Sequence, residues 1–293
     1  MPAETLAPDG ARLAEWVGRS REGRDELTAP AVRRLAAMLD RTGVALDHGA
    51  AVPAHWIAML FDDAAPQGRL GPDGHPLKGE FLPPVPLPRR MLAGRRLEFL
   101  GPPRIGDAMT RRSEITAITP KEGRSGRLVF VTLRHTVTGP RGVVAVEDQD
   151  IAYREAAAGA SDRPGAAQAT ERPRAAWEEP FTPDPVLLFH YSALTFNGHR
   201  IHYDADYARG VEGYPGLVVN GGLTTLMLLE AGARRAGGAA ALRRYASRTA
   251  RPLFAGQPAR LCGTMPDAAG RALLWAEDPS GALALRVEAE YAA

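Results

Sequence analysis

A chain of 293 residues, 45% hydrophobic and 24% charged, has the size and composition of one large globular domain or two ordinary ones. Basic residues number 36 against 34 acidic, leaving a net charge of +2 with no long basic block, which argues against a nucleic-acid partner. No apolar run approaches the roughly 18 residues of a membrane span, the opening MPAET lacks the regions of a signal peptide, and a single cysteine supports no disulfide framework, so a cytoplasmic enzyme or binding protein is expected.

The first strong pattern is PAHWIAMLFD, Pro53 to Asp62, which sets Trp56, Ile57, Leu60 and Phe61 on one face of a predicted helix. Alternating strand-like runs follow at Arg95–Leu100, Thr110–Thr119, Arg127–Thr138 and Val143–Tyr153. Residues 155–180, rich in Ala, Gly, Pro and charge without a hydrophobic period, read as a linker. Beyond it the same order recurs. Gly222 to Ala236 forms a helix apolar nearly all round, and strands are expected at Leu242–Pro252, Ala259–Met265, Arg271–Glu277 and Leu283–Tyr291. Cys262, within the second of these, reads as a small buried strand residue. The turns repeat as well: Pro102-x-x-x-Gly106 reappears as Pro252-x-x-x-Gly256, an offset of 150 residues (102 to 252, 106 to 256). This shared order implies a duplicated α+β unit, with a first half over 1–154, a linker over 155–180 and a second half over 181–293.

Chemistry concentrates in the run from His190 to His202, HYSALTFNGHRIH, which holds three of the seven histidines. Imidazoles suit proton transfer near neutral pH. As a metal site, His199-x-x-His202-x-Asp204 offers three ligands, but the spacing matches no zinc pattern and no metal is expected. The acid–base reading has a fuller set of parts. His202 can move a proton, and Asn197 can orient a water. Gly221, at the start of the apolar helix, can point its N–H at developing negative charge. Phe196, Tyr203 and Tyr214 can line a slot. Hydrating a double bond conjugated to a thioester needs this combination.

The segment resembles the hydratase 2 motif of MaoC-like enoyl-CoA hydratases, which runs Asp-x-Asn-Pro-(aliphatic)-His where this chain has NGHRIH, Asn197 to His202. It is most similar to the two-unit branch of hydroxyacyl-thioester dehydratase type 2 and mesaconyl-CoA hydratase-like proteins. FNGHRIHYD, YPGLVV and, in the first half, GEFLPPVPLPRR and EDQDIAYR carry that likeness over most of the chain. The resemblance implies a double hot-dog fold, two antiparallel sheets each wrapping a central helix, with a degenerate, structural first half that shapes an acyl tunnel. It also implies a hydro-lyase needing no cofactor, whose substrate is a 2-enoyl thioester of coenzyme A or acyl carrier protein, and leaves a homodimer open. By position, His202 matches the catalytic histidine, Asn197 the place of the catalytic aspartate, and Gly221 the glycine holding the thioester carbonyl. His199, Arg200, Tyr203 and Asn220 are expected around the substrate, and Arg89 and Arg90 with Arg200 against coenzyme A phosphates. Two departures stand out: Asn197 cannot serve as a carboxylate, and Asn220-Gly221-Gly222 replaces the usual His-Gly-Pro. A non-catalytic thioester-binding protein and a thioesterase remain the alternatives.

Overall fold

The computed structural model describes residues 10–61, 64–123, 126–155, 172–237 and 241–292. In chain order the first half contains α1 (Gly10–Ala14), β1 (Ser20–Glu26), α2 (Ala29–Met38), a 3-10 turn at Ala54–Met59, and strands β2 (Arg89–Phe99), β3 (Ala108–Gly123), β4 (Gly126–Gly139) and β5 (Gly142–Arg154). The second half contains β6 (Trp177–Phe181), α3 (Pro185–Leu194), a 3-10 turn at Arg200–His202, α4 (Ala205–Gly210), α5 (Gly221–Arg235), and strands β7 (Leu242–Thr249), β8 (Ala259–Gly263), β9 (Arg271–Glu277) and β10 (Leu283–Tyr291).

All ten strands form one antiparallel sheet in the order β1-β3-β4-β5-β2-β7-β10-β9-β8-β6. Read outward from its centre, β2-β5-β4-β3-β1 mirrors β7-β10-β9-β8-β6, so each strand of one half has its counterpart in the other. The halves join where β2 pairs with β7, from Gly94 opposite Arg248 to Glu98 opposite Arg244. The repeated turns hold equivalent places. Ala51 bridges Arg104 as Val218 bridges Phe254, and Val52 N–H donates to Pro103 O as Val219 N–H donates to Leu253 O. Gly106 and Gly256 both take the positive φ that a side chain would resist. The duplication is thus visible in topology and in turns, despite faint identity between the halves.

Helix α5 lies against β7 to β10 and buries Leu223, Leu226, Leu228, Leu229 and Ala231. Cys262 is buried in β8, and burial pushes its thiol up to about 12, which keeps it protonated and inert.

The first half departs from the expected helix. Of the expected run only Ala54–Met59 is helical, as a short 3-10 turn, Phe61 leaves it at a φ of 60°, and Asp62 lies outside the described residues. A helix under three turns is marginal without packing to support it, and here packing favours the tighter form. His55 Nε2 and Trp56 Nε1 each donate to Glu230 Oε1 at 2.7 Å, and Arg41 Nη1 reaches Oε2 at 2.9 Å. Glu230 belongs to α5 and is 2% exposed. The first half therefore does not wrap a long central helix of its own. Two strands also escaped the sequence pattern: β1, nearly all polar, and β6, which falls inside the expected linker, so residues 177–180 belong to a sheet edge. The linker's residues 156–171 lie outside the described residues. Helices α2 and α3 were not among the expected elements either, although each begins at a capping side chain: Thr28 and Asp184 accept a first-turn N–H ahead of a proline.

Burial disfavours the charged form of Glu230, but hydrogen bonds and charge from His55, Trp56 and Arg41 prevail and lower its pKa. The stability it contributes is therefore complete above the ordinary glutamate range and lost as pH falls through the lowered value. Glu230→Ala leaves two buried donors without an acceptor, and the expected cost is about 3–5 kcal/mol. Denaturant unfolding of the variant against the parent measures it, and a change under about 1 kcal/mol would show that the cluster is not a structural anchor.

Candidate active site

A cleft of about 1650 Å³ opens between the halves, lined by the second-half loop, the start of α5, and the inner face of the first-half sheet. Each site residue expected from sequence lines it: His202, Asn197, Gly221, His199, Arg200, Tyr203, Asn220, Arg89 and Arg90. Their roles in the geometry differ.

His202 closes the 3-10 turn Arg200–His202 and is 8% exposed. Its Nδ1 lies 2.7 Å from Val218 O, and a carbonyl can only accept, so Nδ1 carries the proton and Nε2 keeps its lone pair. Burial lowers the ring's pKa to about 4, so this imidazole is a neutral base at physiological pH. Asn197 follows Phe196, which is held at a φ of 48°. Its Oδ1 accepts the His199 N–H at 3.0 Å, leaving the amide NH₂ free to donate.

At the N-terminus of α5 the first intrahelical bond runs from Thr224 N–H to Asn220 O at 3.1 Å, so the amides of Gly221 and Gly222 precede the helical ladder. A Cβ on Gly221 would meet nothing closer than Thr249 Oγ1 at 3.7 Å, an ordinary contact distance. On Gly222 a Cβ would overlap the Tyr191 hydroxyl, so the missing side chain makes room for that group beside the helix end. Asn220 is the N-cap residue but makes no capping bond. Its side chain is 2% exposed, and both amide atoms lack partners. A buried amide in that condition is costly unless a ligand or water completes it.

The arginines divide. Arg200 gives Nε and Nη2 to Asp204 at 3.1 and 2.7 Å and Nη1 to Pro72 O at 3.1 Å, so its guanidinium ties the loop together. Arg89 donates to the Tyr214 hydroxyl at 3.1 Å and lies 3.5 Å from Glu212. Tyr203 is mostly exposed and donates to Gly198 O at 3.1 Å. His199, His202 and Asp204 do not converge on one point among the described residues, and Asp204 is held by Arg200 and the Tyr207 N–H.

Sequence reasoning missed two features. A first-half loop, Gly71 to Pro76, brings Asp73 and His75 against His199. A polar belt also crosses the inner face of the first-half sheet. There Arg95 Nε lies 2.8 Å from Glu147, and His135 bridges Ser113 at 2.7 Å and Gln149 at 3.0 Å. Tyr191 and Tyr245 lie in the field of the Arg95–Glu147 pair, and burial raises both phenols, so they stay protonated donors. The period-two alternation of β2, β4 and β5 contained a signal, since Arg95, His135 and Glu147 occupy inward positions where apolar residues are the norm.

A ten-stranded sheet packed on one long helix, with a tautomer-fixed histidine and the start of that helix lining one cleft, has the architecture of a MaoC-type hot-dog protein. The profile of the family hydroxyacyl-thioester dehydratase type 2 matches residues 54–255. A mesaconyl-C(4)-CoA hydratase of Chloroflexus aurantiacus is 40% identical over 281 residues, covering 94% of this chain and 96% of that one. The mitochondrial hydroxyacyl-thioester dehydratase type 2 of Schizosaccharomyces pombe is 41% identical over 83 residues, 28% of each chain. Among solved structures, a MaoC-like dehydratase from Phytophthora capsici superposes with a TM-score of 0.67 at 16% identity, over 97% of this chain and 98% of that one. A Mycobacterium tuberculosis protein described as a double hotdog fold does so at 0.57 and 17% identity, over 94% and 96%. The chain belongs to the hydroxyacyl-thioester dehydratase type 2 family. It is a double hot-dog hydro-lyase that hydrates and dehydrates acyl thioesters. Among the described residues no helix is long and apolar enough to cross a membrane.

The loops of the two halves meet at two glycines. A Cβ on Gly74, itself at a φ of 85°, would overlap the carbonyl oxygen of Gly198, and one on Gly198 would lie 2.9 Å from Gly74 O. Gly74→Ala should therefore displace the first-half loop from the catalytic loop. The left-handed backbone alone costs about 1–2 kcal/mol. Activity should fall at least tenfold, the effect expected when site geometry shifts by about an ångström. Steady-state hydration rates and a thermal melt on the same preparation check this, and unchanged turnover would show that the contact does not hold the site.

Proposed function

We propose that the site adds water reversibly to a short 2-enoyl-CoA with a polar acyl end, of the mesaconyl kind. His202 acts as the base, Asn197 orients the water, and Gly221 holds the thioester oxygen. The observation that carries this reading is a buried neutral His202, protonated at Nδ1 so that Nε2 keeps its lone pair, lining the same cleft as the start of α5. As the water oxygen bonds to the β-carbon, its proton passes to His202 Nε2. The π electrons move toward the carbonyl, and the oxygen gathers negative charge before the Gly221 N–H and the positive end of the α5 dipole. A proton then reaches the α-carbon and the thioester reforms. Asn197, its oxygen engaged by His199, contributes its NH₂ to the water oxygen and leaves proton acceptance to His202.

The polar belt supports the acyl preference. A long alkyl chain laid along the first-half sheet would desolvate Arg95, Glu147 and His135 without replacing their hydrogen bonds, at a cost of a few kcal/mol. A carboxylate or hydroxyl at the acyl end meets donors there instead. The 40% identity to a mesaconyl-C(4)-CoA hydratase points the same way. In this reading the first half shapes the acyl pocket, and Arg89 and Arg90 at the cleft mouth face the carrier's phosphates.

His202→Ala should lose about 10² to 10⁴ in hydration rate with its circular dichroism unchanged, while Asn197→Asp stays active. For the parent, kcat/KM should hold level from neutral pH downward and fall as pH drops through about 4, where His202 gains its proton. Loss of enoyl-thioester absorbance without thiol release, followed for mesaconyl-CoA and for a long-chain enoyl-CoA, tests reaction and preference together. A fully active His202→Ala protein would refute the assignment.

A further inference from the structure

Hydration moves protons at two atoms, off the water and onto the α-carbon. The second half supplies His202 as the base proposed above and, at residue 197, an amide where the wider motif has aspartate; Glu212, a carboxylate of that half in the cleft, is paired with Arg89. The first half supplies what is missing. Its loop Gly71–Pro76 is bound to the catalytic loop by the Arg200 N–H donating to Asp73 O at 2.9 Å and by the contact of Gly74 with Gly198. Within it, Gly71 N–H donates to His75 O at 2.7 Å and Gly74 N–H to Gly71 O at 2.9 Å, a closed turn.

Both oxygens of Asp73 serve His75. Oδ1 accepts the His75 backbone N–H at 3.0 Å, and Oδ2 lies 2.9 Å from Nδ1. A carboxylate placed so fixes the proton on Nδ1, presents Nε2 to the cleft, and balances the charge of an imidazolium. Burial alone would raise the Asp73 pKa, but the bonds and charge of His75 hold it well below the usual carboxylate range. The His75 ring is 4.1 Å from that of His199, which stands edge-on to His202 at 5.4 Å. His199 therefore contacts both other imidazoles, a middle ring between the Asp73–His75 pair and the buried His202. The middle one is no acid: burial, then the neighbouring His75 and His202, lower His199 to about 2. Asp73 and His75, 31% and 26% exposed, reach solvent and can exchange protons with it.

Asp73, His75 and His199 also offer ligand atoms within 4.8 Å of one another, the spacing of a metal site. The surroundings oppose a cation. Arg90 acts on both Asp73 and His199, the Lys78 ammonium feels Asp73, and both carboxylate oxygens are already engaged.

We propose that His75, positioned by Asp73, is the acid that protonates the α-carbon, so that the catalytic carboxylate absent at Asn197 is supplied from the other half of the chain. This rests on the hydration chemistry assigned to His202 above. In balance, the water O–H bond breaks and its proton goes to His202 Nε2 as the O–Cβ bond forms. The enolate's electron pair then takes the proton of His75 Nε2–H to form Cα–H. His75 regains a proton from solvent, and His202 gives one up.

The test measures hydration by four variants: His75→Ala, Asp73→Asn, Asp73→Asn with Asn197→Asp, and His202→Ala. His75→Ala should lower kcat by about 10² or more with KM unchanged, and added imidazole should restore part of the loss. Asp73→Asn should lower kcat likewise, and returning a carboxylate at residue 197 should recover it. A wild-type kcat in His75→Ala overturns the proposal, as does a loss confined to KM. A kcat loss that imidazole does not restore, beside an unimpaired Asp73→Asn, also counts against it. Activity abolished by EDTA and restored by Zn²⁺ replaces it with a metal site on the same residues. If His202→Ala is itself fully active, the underlying hydration assignment fails; if that variant is dead and His75→Ala is not, only this proposal does.

Discussion

The buried carboxylate of Glu230 sets the arrangement on which the site depends. It takes the donors of His55 and Trp56 from the first half while sitting on the long helix of the second. A carboxylate 2% exposed is tolerable only when its oxygens are satisfied. The first-half chain between β1 and β2 is thus held against the far part of α5 instead of winding into a helix of its own. The near end of α5, with Gly221 and Asn220, is left facing open space. One ion-paired cluster therefore fixes both the register of the two halves and the position of the cleft.

Unequal halves follow from an equal topology. The mirrored strand order and matched turns descend from one pattern, yet only the second half keeps the long helix that fills the concave face of its sheet. The first-half sheet lies partly bare toward the cleft, and its inward positions no longer face an apolar helix. Arg95 and Glu147 occupy them as an ion pair, and His135 and Gln149 as a hydrogen-bonded one. Such a network is stable when its members are paired and unfavourable against hydrocarbon. The lost helix and the polar belt are two consequences of the same vacancy.

Much of this was legible in the sequence. The strands β9 and β10 have the predicted bounds, because their alternation is regular and Gly270 and Gly281 punctuate them. The motif around His202 falls in the cleft where it was expected, and the apolar run after Asn220 is the long helix α5. The failures have physical causes. The turn at Ala54–Met59 carried a helical hydrophobic pattern, but its geometry was decided by Glu230, about 175 residues away in sequence. Strand β1 is an edge with an almost wholly exposed, polar run, so no alternation marked it. Asp73 and His75 lie in a loop of glycine and proline, where no periodicity shows what the loop will touch.

The seam between the halves is also where the chemistry demands contradictory environments. A base able to take a proton from water at neutral pH benefits from burial, which keeps His202 neutral, and its single free nitrogen then faces the cleft. In the proposed reaction, charge developing on the thioester oxygen needs donors that are already aligned, the part assigned above to the Gly221 N–H. At residue 197 the loop carries an amide where the wider motif has a carboxylate, and Asp204, further along the same loop, is held by Arg200 and the Tyr207 N–H. Asp73 lies instead behind His75, where its negative charge is screened from the oxyanion by an imidazole and compensated by Arg90. Dividing these groups between two loops, joined where Gly74 meets Gly198, lets each sit in the environment that its charge requires.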